Sequence, residues 1–385
     1  MHSPITFQKF QIFEVIVPAH SAILSAPEPK GNTYQDNLRW DHRSICLVEA
    51  TLSNGLVAVG EALRTESAEC VKTTLEFLKG KAIHDFHPVT LWKSNNLPDG
   101  LPLPYFLPSS SAQTGHKMSY SLIETLWYDA AGKLANLPAH ALLGGKFHDS
   151  IPVDFWANRP EANTLCTLVE QAVSLGLRGM KLKSDGTGDT AETIIRAAAD
   201  LPAWFHFTID PMCSWRSLRE SRSRLDRLQN LQRSFILEDP FNWYHQQDWQ
   251  LLKQQYSITL ATHARDEVIL RHSIKNELAS IYNLGATSTG FSRQGSTLQL
   301  FGFDCWMGSS LELGVMQHLR LHIASTTPNC VLPSDFQSEW VREHTLITQR
   351  MQYEDGHAIV PDRPGLGVDL DHAAVKSYLQ SSVSI

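Results

Sequence analysis

The chain has 385 residues, 42% of them hydrophobic and 19% charged, with a formal net charge of −7. This composition belongs to a folded globular protein longer than a typical single domain, and it excludes a disordered chain. The basic residues are scattered, which leaves no footprint for nucleic acid or an anionic membrane surface.

Residues 1–20 lack a basic stretch followed by a long apolar core, and no run reaches transmembrane length. The cysteines Cys46, Cys70, Cys166, Cys213, Cys305 and Cys330 are dispersed without a C-x-x-C pair. Free thiols in a cytoplasmic protein are expected. Residues 5–130 read as strands followed by helices, an α+β unit. Two long irregular stretches interrupt it, Pro18 to Asp41 and Leu97 to Gly115, the second carrying Pro98, Pro102, Pro104 and Pro108. Loops of this length are commonly functional.

A second unit opens near Ile151-Pro152-Val153-Asp154-Phe155-Trp156. Leu165, Leu168, Val169 and Ala172 then recur on one face of a helix. Four short apolar runs follow, each ending in a polar group: Lys181 and Lys183, Asp210, Glu238 and His263. The steps are 27, 28 and 25 residues (183 to 210, 210 to 238, 238 to 263). This period fits one strand plus one helix of a βα barrel. The C-terminal strand ends of such a barrel share one face, so these residues converge on one pocket.

Lys181 and Lys183 stand at i and i+2 on one strand and leave the same face. A carboxylate pair with a third ligand can hold a hard divalent cation. A lysine beside that cation and a second lysine is pushed toward its neutral form. One lysine can then act as base while its partner tunes it or holds a carboxylate. A metal stabilises the oxyanion that forms when a proton leaves the carbon next to a carboxylate. His318 and His322 mimic ligand spacing at i and i+4, but without a third ligand they read as a helix face.

At these residues the chain resembles the enolase superfamily, of the mandelate racemase/muconate lactonizing type. The resemblance covers nearly the whole chain. Ile45 to Ala50 and Asn54 to Ala62 are similar to the N-terminal hairpin with its Gly-Glu pair, Gly60-Glu61. Ile123 to Asp129 and Leu142 to Lys146 resemble the helix and turn before the barrel. Gly308-Ser309-Ser310-Leu311-Glu312 resembles the end of strand seven, and Asp355 to His357 with Pro361 to Val368 the C-terminal segment. The resemblance implies an α/β fold, a modified TIM barrel (β/α)7β with an N-terminal α+β capping domain. The cap would span residues 1–135, the barrel 136–340, and a tail of 341–385 would pack back on the cap.

By the same resemblance, Lys183 is the base and Lys181 its electrostatic partner. Asp210, Glu238 and His263 are the metal ligands. Arg293 and Glu312 are further catalytic candidates. Tyr34, Trp40 and His42 in the first cap loop, Tyr105 and Phe106 in the second, Trp156 on strand one and Ser309 on strand seven are substrate-binding candidates. The implied cofactor is Mg²⁺, with Mn²⁺ or Zn²⁺ open because imidazole at His263 favours them. The implied partners are a small-molecule carboxylate substrate and further copies of the chain, as a dimer or octamer.

The departures restrict the chemistry. Met212 stands where asparagine usually follows the first ligand, so a supporting hydrogen bond is expected to be missing. Asp266 or Glu267 could supply a third carboxylate in place of His263. The stretch Ala286 to Arg293, read as strand six, lacks both the lysine and the aspartate of the two main subgroups. Strand seven lacks the racemase-type histidine. A one-base site suits dehydration, cycloisomerisation or decyclisation better than racemisation. A lyase acting on an acid sugar or hydroxy acid is therefore the leading expectation, ahead of a cycloisomerase and a racemase or epimerase. The alternative is a ligand-binding barrel that kept the fold and lost part of the active site. A metal-free aldolase with a Schiff-base lysine leaves Asp210 and Glu238 without a purpose.

Overall fold

A computed structural model describes residues 3–24, 40–64, 66–88, 118–184, 190–285 and 288–385, with Leu24, Trp40 and Thr289 described at the backbone only. The cap begins with three antiparallel strands, β1 (Phe7–Val15), β2 (Ile45–Leu52) and β3 (Val57–Glu61). Helices α1 (Ala68–Leu78) and α2 (Tyr120–Ala135) follow. Ser67 and Ser119 cap them, their hydroxyls accepting the Cys70 and Leu122 N–H groups. Nearly all of α2 is buried, because it lies between the cap sheet and the barrel.

A short helix α3 (Ala139–Leu142) and strand β4 (Ser150–Pro152) lead into the barrel. Its strands are β5 (Phe155–Asn158), β6 (Gly179–Lys183), β7 (His206–Asp210), β8 (Phe235–Glu238), β9 (Thr259–His263), β10 (Ile281–Leu284) and β11 (Asp304–Met307). The intervening helices are α4 (Ala162–Ser174), α5 (Thr190–Ala197), α6 (Leu218–Gln229), α7 (Gln246–Gln255), α8 (Glu267–Lys275) and α9 (Ser288–Leu300), with α10 (Gly314–Ser325) after β11. The sheet is parallel throughout, in the order β11-β10-β9-β8-β7-β6-β5, and it curls. Parallel strands are covered on both faces, so they read as short apolar runs and not as alternations. The four runs read from the sequence are β6 to β9 within one residue. On α4 the buried residues are Leu165, Leu168, Val169 and Ala172, the face expected from periodicity. Each leucine there contributes about 1.5–3 kcal/mol by burial.

The segment 330–335 closes the curl between the two edge strands. Isolated parallel bridges join Cys330 to Cys305 of β11 and Ser334 to Val153 just before β5. The Ser334 N–H donates to Pro152 O and the Asp335 N–H to Met307 O. The Ser334 hydroxyl accepts the Met307 N–H. A side chain thus replaces part of the backbone ladder.

The tail runs through α11 (Ser338–Val341), β12 (Tyr353–Glu354), β13 (His357–Ile359), α12 (His372–Tyr378) and β14 (Leu379–Ser384). β13 pairs with β4, and β14 pairs antiparallel with β1, so the cap sheet has the order β14-β1-β2-β3. No helix among the described residues is long and apolar enough to cross a membrane.

Candidate active site

The parallel register fixes which side chains meet inside the barrel. Trp156, Lys181 and Thr208 are level on β5, β6 and β7, and Asn158, Lys183 and Asp210 are level one layer nearer the mouth. Glu238 pairs with Ala261, and His263 with Asn283 of strand six. Lys183 donates to Asp210 Oδ2 in a close ion pair. The Lys181 ammonium lies 2.8 Å from Glu238 Oε2, 3.1 Å from Asp335 Oδ2 and 3.8 Å from Asp210 Oδ2. The Trp306 ring centroid is 5.8 Å from the same nitrogen.

The two lysines therefore differ in kind. The Lys181 side chain is 4% exposed and the Lys183 side chain 23%. Burial alone would lower the Lys181 pKa, but Asp335, Glu238 and Asp210 outweigh it and hold the group above the usual lysine range. Lys181 is a fixed cation at the base of the site. Burial would raise Asp210, yet Lys183 and Lys181 hold it below the usual carboxylate range. Glu238 is raised, by burial first and then by Asp210. His263 is pushed well below its ordinary value by burial, with Arg265 and the two lysines adding to the effect, so its imidazole is neutral at pH 7.

Backbone groups orient these side chains. Asp210 Oδ1 accepts the N–H of Met212 at 2.9 Å. The sequence suggested that a supporting hydrogen bond is missing where Met212 stands; a main-chain donor from the same residue meets the carboxylate instead. Asp239 Oδ1 accepts the His263 N–H and the Trp243 indole N–H, each at 3.1 Å. Asn283 Nδ2 donates to Glu238 Oε1 at 2.8 Å. A side chain at Gly308 would strike Asn283 Oδ1 at 2.3 Å, and one at Gly285 would strike His263 Nε2 at 2.9 Å. Left-handed backbone at Arg159, Met212, Cys213, Asp239 and Leu311 follows the ends of β5, β7, β8 and β11. Such strain in non-glycine residues gathers where surrounding structure imposes a geometry.

The other candidates are placed as follows. Trp156 is buried beside Lys181 in the register. Ser309 and Glu312 face each other: the Ser309 hydroxyl donates to Glu312 Oε2 at 3.1 Å, and the Ser310 N–H donates to the same oxygen at 2.6 Å. Arg320 of α10 holds Glu312 Oε1 at 3.2 Å. Strand six is residues 281–284; of the stretch 286–293 assigned to it from the sequence, residues 288–293 belong to the first half of α9, and Arg293 stands on that helix at an exposed position. Asp266 caps α8, its carboxylate accepting the Ile269 N–H, and Glu267 opens the same helix. His42 is exposed next to buried Asp41. Tyr34, Tyr105 and Phe106 lie outside the described residues, as does the side chain of Trp40. His318 and His322 are buried on α10 and bond to the carbonyls of Gly314 and Leu366.

Two site residues are not evident from the sequence pattern, Asn283 and Asp335. Asn283 is the third residue of the short strand Ile281–Leu284, and Asp335 follows the run Cys330-Val331-Leu332 one βα period after β11. That spacing was the available signal.

The donor set suits a divalent cation. Asp210 is ionised, Glu238 Oε2 is buried without an aligned hydrogen-bond donor, and neutral His263 offers a lone pair with Nδ1 4.0 Å from Glu238 Oε1. Among the described residues, no three His, Cys, Asp or Glu side chains are already drawn together as a ligand shell. The lysine ammoniums stand between the carboxylates.

Residues 165–374, more than half of the chain, match the enolase C-terminal domain-like family. The chain belongs to that family. It is 26% identical over 309 residues to a probable glucarate dehydratase of Streptomyces coelicolor, covering 67% of this chain and 66% of that one. It is 22% identical over 356 residues to the chloromuconate cycloisomerase of Cupriavidus pinatubonensis, covering 89% and 92%. The solved 3,6-anhydro-D-galactonate cycloisomerase of Zobellia galactanivorans superposes with a TM-score of 0.73 at 19% identity, over 98% of this chain and 100% of that one. At that identity the likeness establishes the fold, an α/β barrel of the mandelate racemase/muconate lactonizing type. The relatives are enzymes, and they lend no support to a barrel without catalysis.

Proposed function

We propose that this protein is an enzyme that removes the proton α to a carboxylate, with Lys183 as the base. The observation that carries this reading is the division between the lysines: Lys181 is locked among three carboxylates, while Lys183 reaches the mouth on the same strand face. Lys183 Nζ takes the α-proton once its own proton has left. Asp210 holds Lys183 in place, and the Met212 N–H holds Asp210. Asn283 and Lys181 orient Glu238 from two sides. Asp210, Glu238 and His263 would hold a divalent cation, which supplies charge to stabilise the oxyanion of the deprotonated substrate.

Asn283, next to last on strand six, meets Glu238 and is neither an acid nor a lysine. This supports a one-base reaction. The fate of the carbanion is then loss of a β-hydroxyl as water, the proton taken up by Lys183 Nζ being delivered to the leaving oxygen, and the substrate class is an acid sugar or related hydroxy acid. The dehydratase among the relatives supports the same choice.

The test is incubation with a panel of aldonates and aldarates in deuterated buffer with Mg²⁺ or Mn²⁺, followed by NMR. Deuterium at Cα or a 2-keto-3-deoxy product, absent with Lys183→Ala, is the expected result. Exchange that survives Lys183→Ala would remove Lys183 from the role of base.

A further inference from the structure

Asp335 has no part in the chemistry above, yet it is buried at the heart of the site. It comes from the barrel-closing segment, and its backbone is fixed on both sides: its N–H donates to Met307 O, and its carbonyl accepts Gln317 Nε2. Its carboxylate accepts an aligned hydrogen bond from the Lys181 ammonium at 3.1 Å. The order of strands gives this contact a direction. Asp210 and Glu238 reach Lys181 from β7 and β8, on one side of β6, whereas Asp335 reaches it from beyond β5, on the other. The ammonium is suspended between two anionic walls, 2.8 Å from Glu238 and 3.1 Å from Asp335.

A divalent cation bound by Asp210 and Glu238 competes with that ammonium for the same oxygens and repels it. A buried ammonium that loses its counter-charge is strongly destabilised. It needs another anion within reach, already placed.

We propose that Asp335 is a positioning residue that takes the Lys181 ammonium when a divalent cation enters between Asp210 and Glu238. The inference rests on the divalent-cation reading of the site and assigns Asp335 a task within it. Asp335 makes room for the cation without touching it, and keeps Lys181 charged and in place while it does so.

The test reads Mn²⁺ binding alone, by electron paramagnetic resonance of the free ion, on the full chain without substrate. Wild type, Asp335→Asn, Lys181→Met and the double variant are compared, each checked for fold by circular dichroism. Asp335→Asn should weaken Mn²⁺ binding at least tenfold, because the ammonium then has only Glu238 and Asp210. Lys181→Met should bind at least as tightly as wild type, and the double variant should match Lys181→Met. Unchanged binding in Asp335→Asn overturns the proposal. So does a double variant as weak as Asp335→Asn, which would make Asp335 a merely structural residue. If Lys181→Met binds Mn²⁺ and wild type does not, the cation site stands and the role of Asp335 falls. If neither binds, the divalent-cation reading itself fails and the proposal goes with it.

Discussion

Glu124 of the cap helix α2 accepts the backbone N–H of Ser288, the first residue of α9, at 3.0 Å, and the Ser288 hydroxyl donates to the same carboxylate. A cap side chain thus terminates a barrel helix directly after strand six. Glu61 does the same at the next helix, accepting the N–H groups of Leu313 and Met316 at 2.6 and 2.9 Å at the start of α10. These are carboxyl caps on helix N-termini, satisfying donors that otherwise lack partners. Burial raises the Glu124 pKa from 4.5 to about 7, against the pull of Ser288 and Arg320. A raised folded pKa means that the folded protein holds a proton the unfolded chain has released. The stabilising contribution is therefore full below pH 4.5 and is lost as pH rises through 7. Every tenfold gain in proton affinity on folding is linked to about 1.4 kcal/mol of stability. Glu124→Gln should reduce the fall in melting temperature between pH 5 and pH 8. An identical pH dependence in the variant would mean that Glu124 titrates normally.

Gly365 and Gly55 separate crowding from backbone strain. Both have left-handed backbone, with φ of 68° and 86°. A Cβ at Gly365 would fall 2.3 Å from Asp129 Oδ1, while one at Gly55 meets nothing within 4 Å. Asp129 cannot yield, because Oδ1 accepts the Leu366 N–H, Oδ2 accepts the Val59 N–H, and Lys133 pairs with it at 2.8 Å. Gly55→Ala should cost about 1–2 kcal/mol, the left-handed penalty alone. Gly365→Ala adds disruption of a buried hydrogen-bonded carboxylate and should cost several kcal/mol. Urea midpoints measure both. Equal losses would show that the Asp129 junction is pliable.

Much of the site was readable because each parallel strand from β6 to β9 ends its apolar run on a polar residue at a nearly fixed step. What the period cannot show is where a run ends softly. In Tyr282-Asn283-Leu284 the inward polar group is uncharged and is followed by a further apolar residue, so the charged Arg293 on the following helix stands out instead. The barrel-closing segment is harder still. Pro333 interrupts it and the Ser334 side chain substitutes for a ladder bond, so Asp335 follows no recognisable strand. Ser309 and Glu312 follow strand seven, but only the tertiary fold shows that Arg320 ties Glu312 into its own loop.

As a third ligand in the proposed site, His263 would set a preference among cations. Its imidazole is neutral and joins two carboxylates, a set less suited to Mg²⁺ than three oxygens would be. His263→Asp should raise Mg²⁺ affinity relative to Zn²⁺ by about tenfold or more, on the scale expected for changes around a metal centre. Calorimetric titration of both ions into both proteins reads the ratio. A ratio that does not move would take His263 out of the ligand set.

The unequal burial of the two lysines predicts opposite costs when each is removed. Lys183 reaches solvent and serves one carboxylate, and Asp210 keeps the Met212 N–H and a more distant Lys181 when Lys183 is gone. Lys183→Ala should therefore lower stability by only about 1–2 kcal/mol while removing α-proton exchange. Lys181 is the shared counter-ion of Glu238 and Asp335, neither of which has another cation so close among the described residues. Lys181→Met leaves two buried carboxylates facing each other, and breaking such a pair from one side costs about 3–5 kcal/mol. Raising Mn²⁺ should recover part of that loss, since a cation that binds only the folded state stabilises it. Urea midpoints for the two variants, with and without Mn²⁺, rank them. If Lys183→Ala proves the less stable, the assignment of Lys181 as the fixed charge and Lys183 as the working base is reversed.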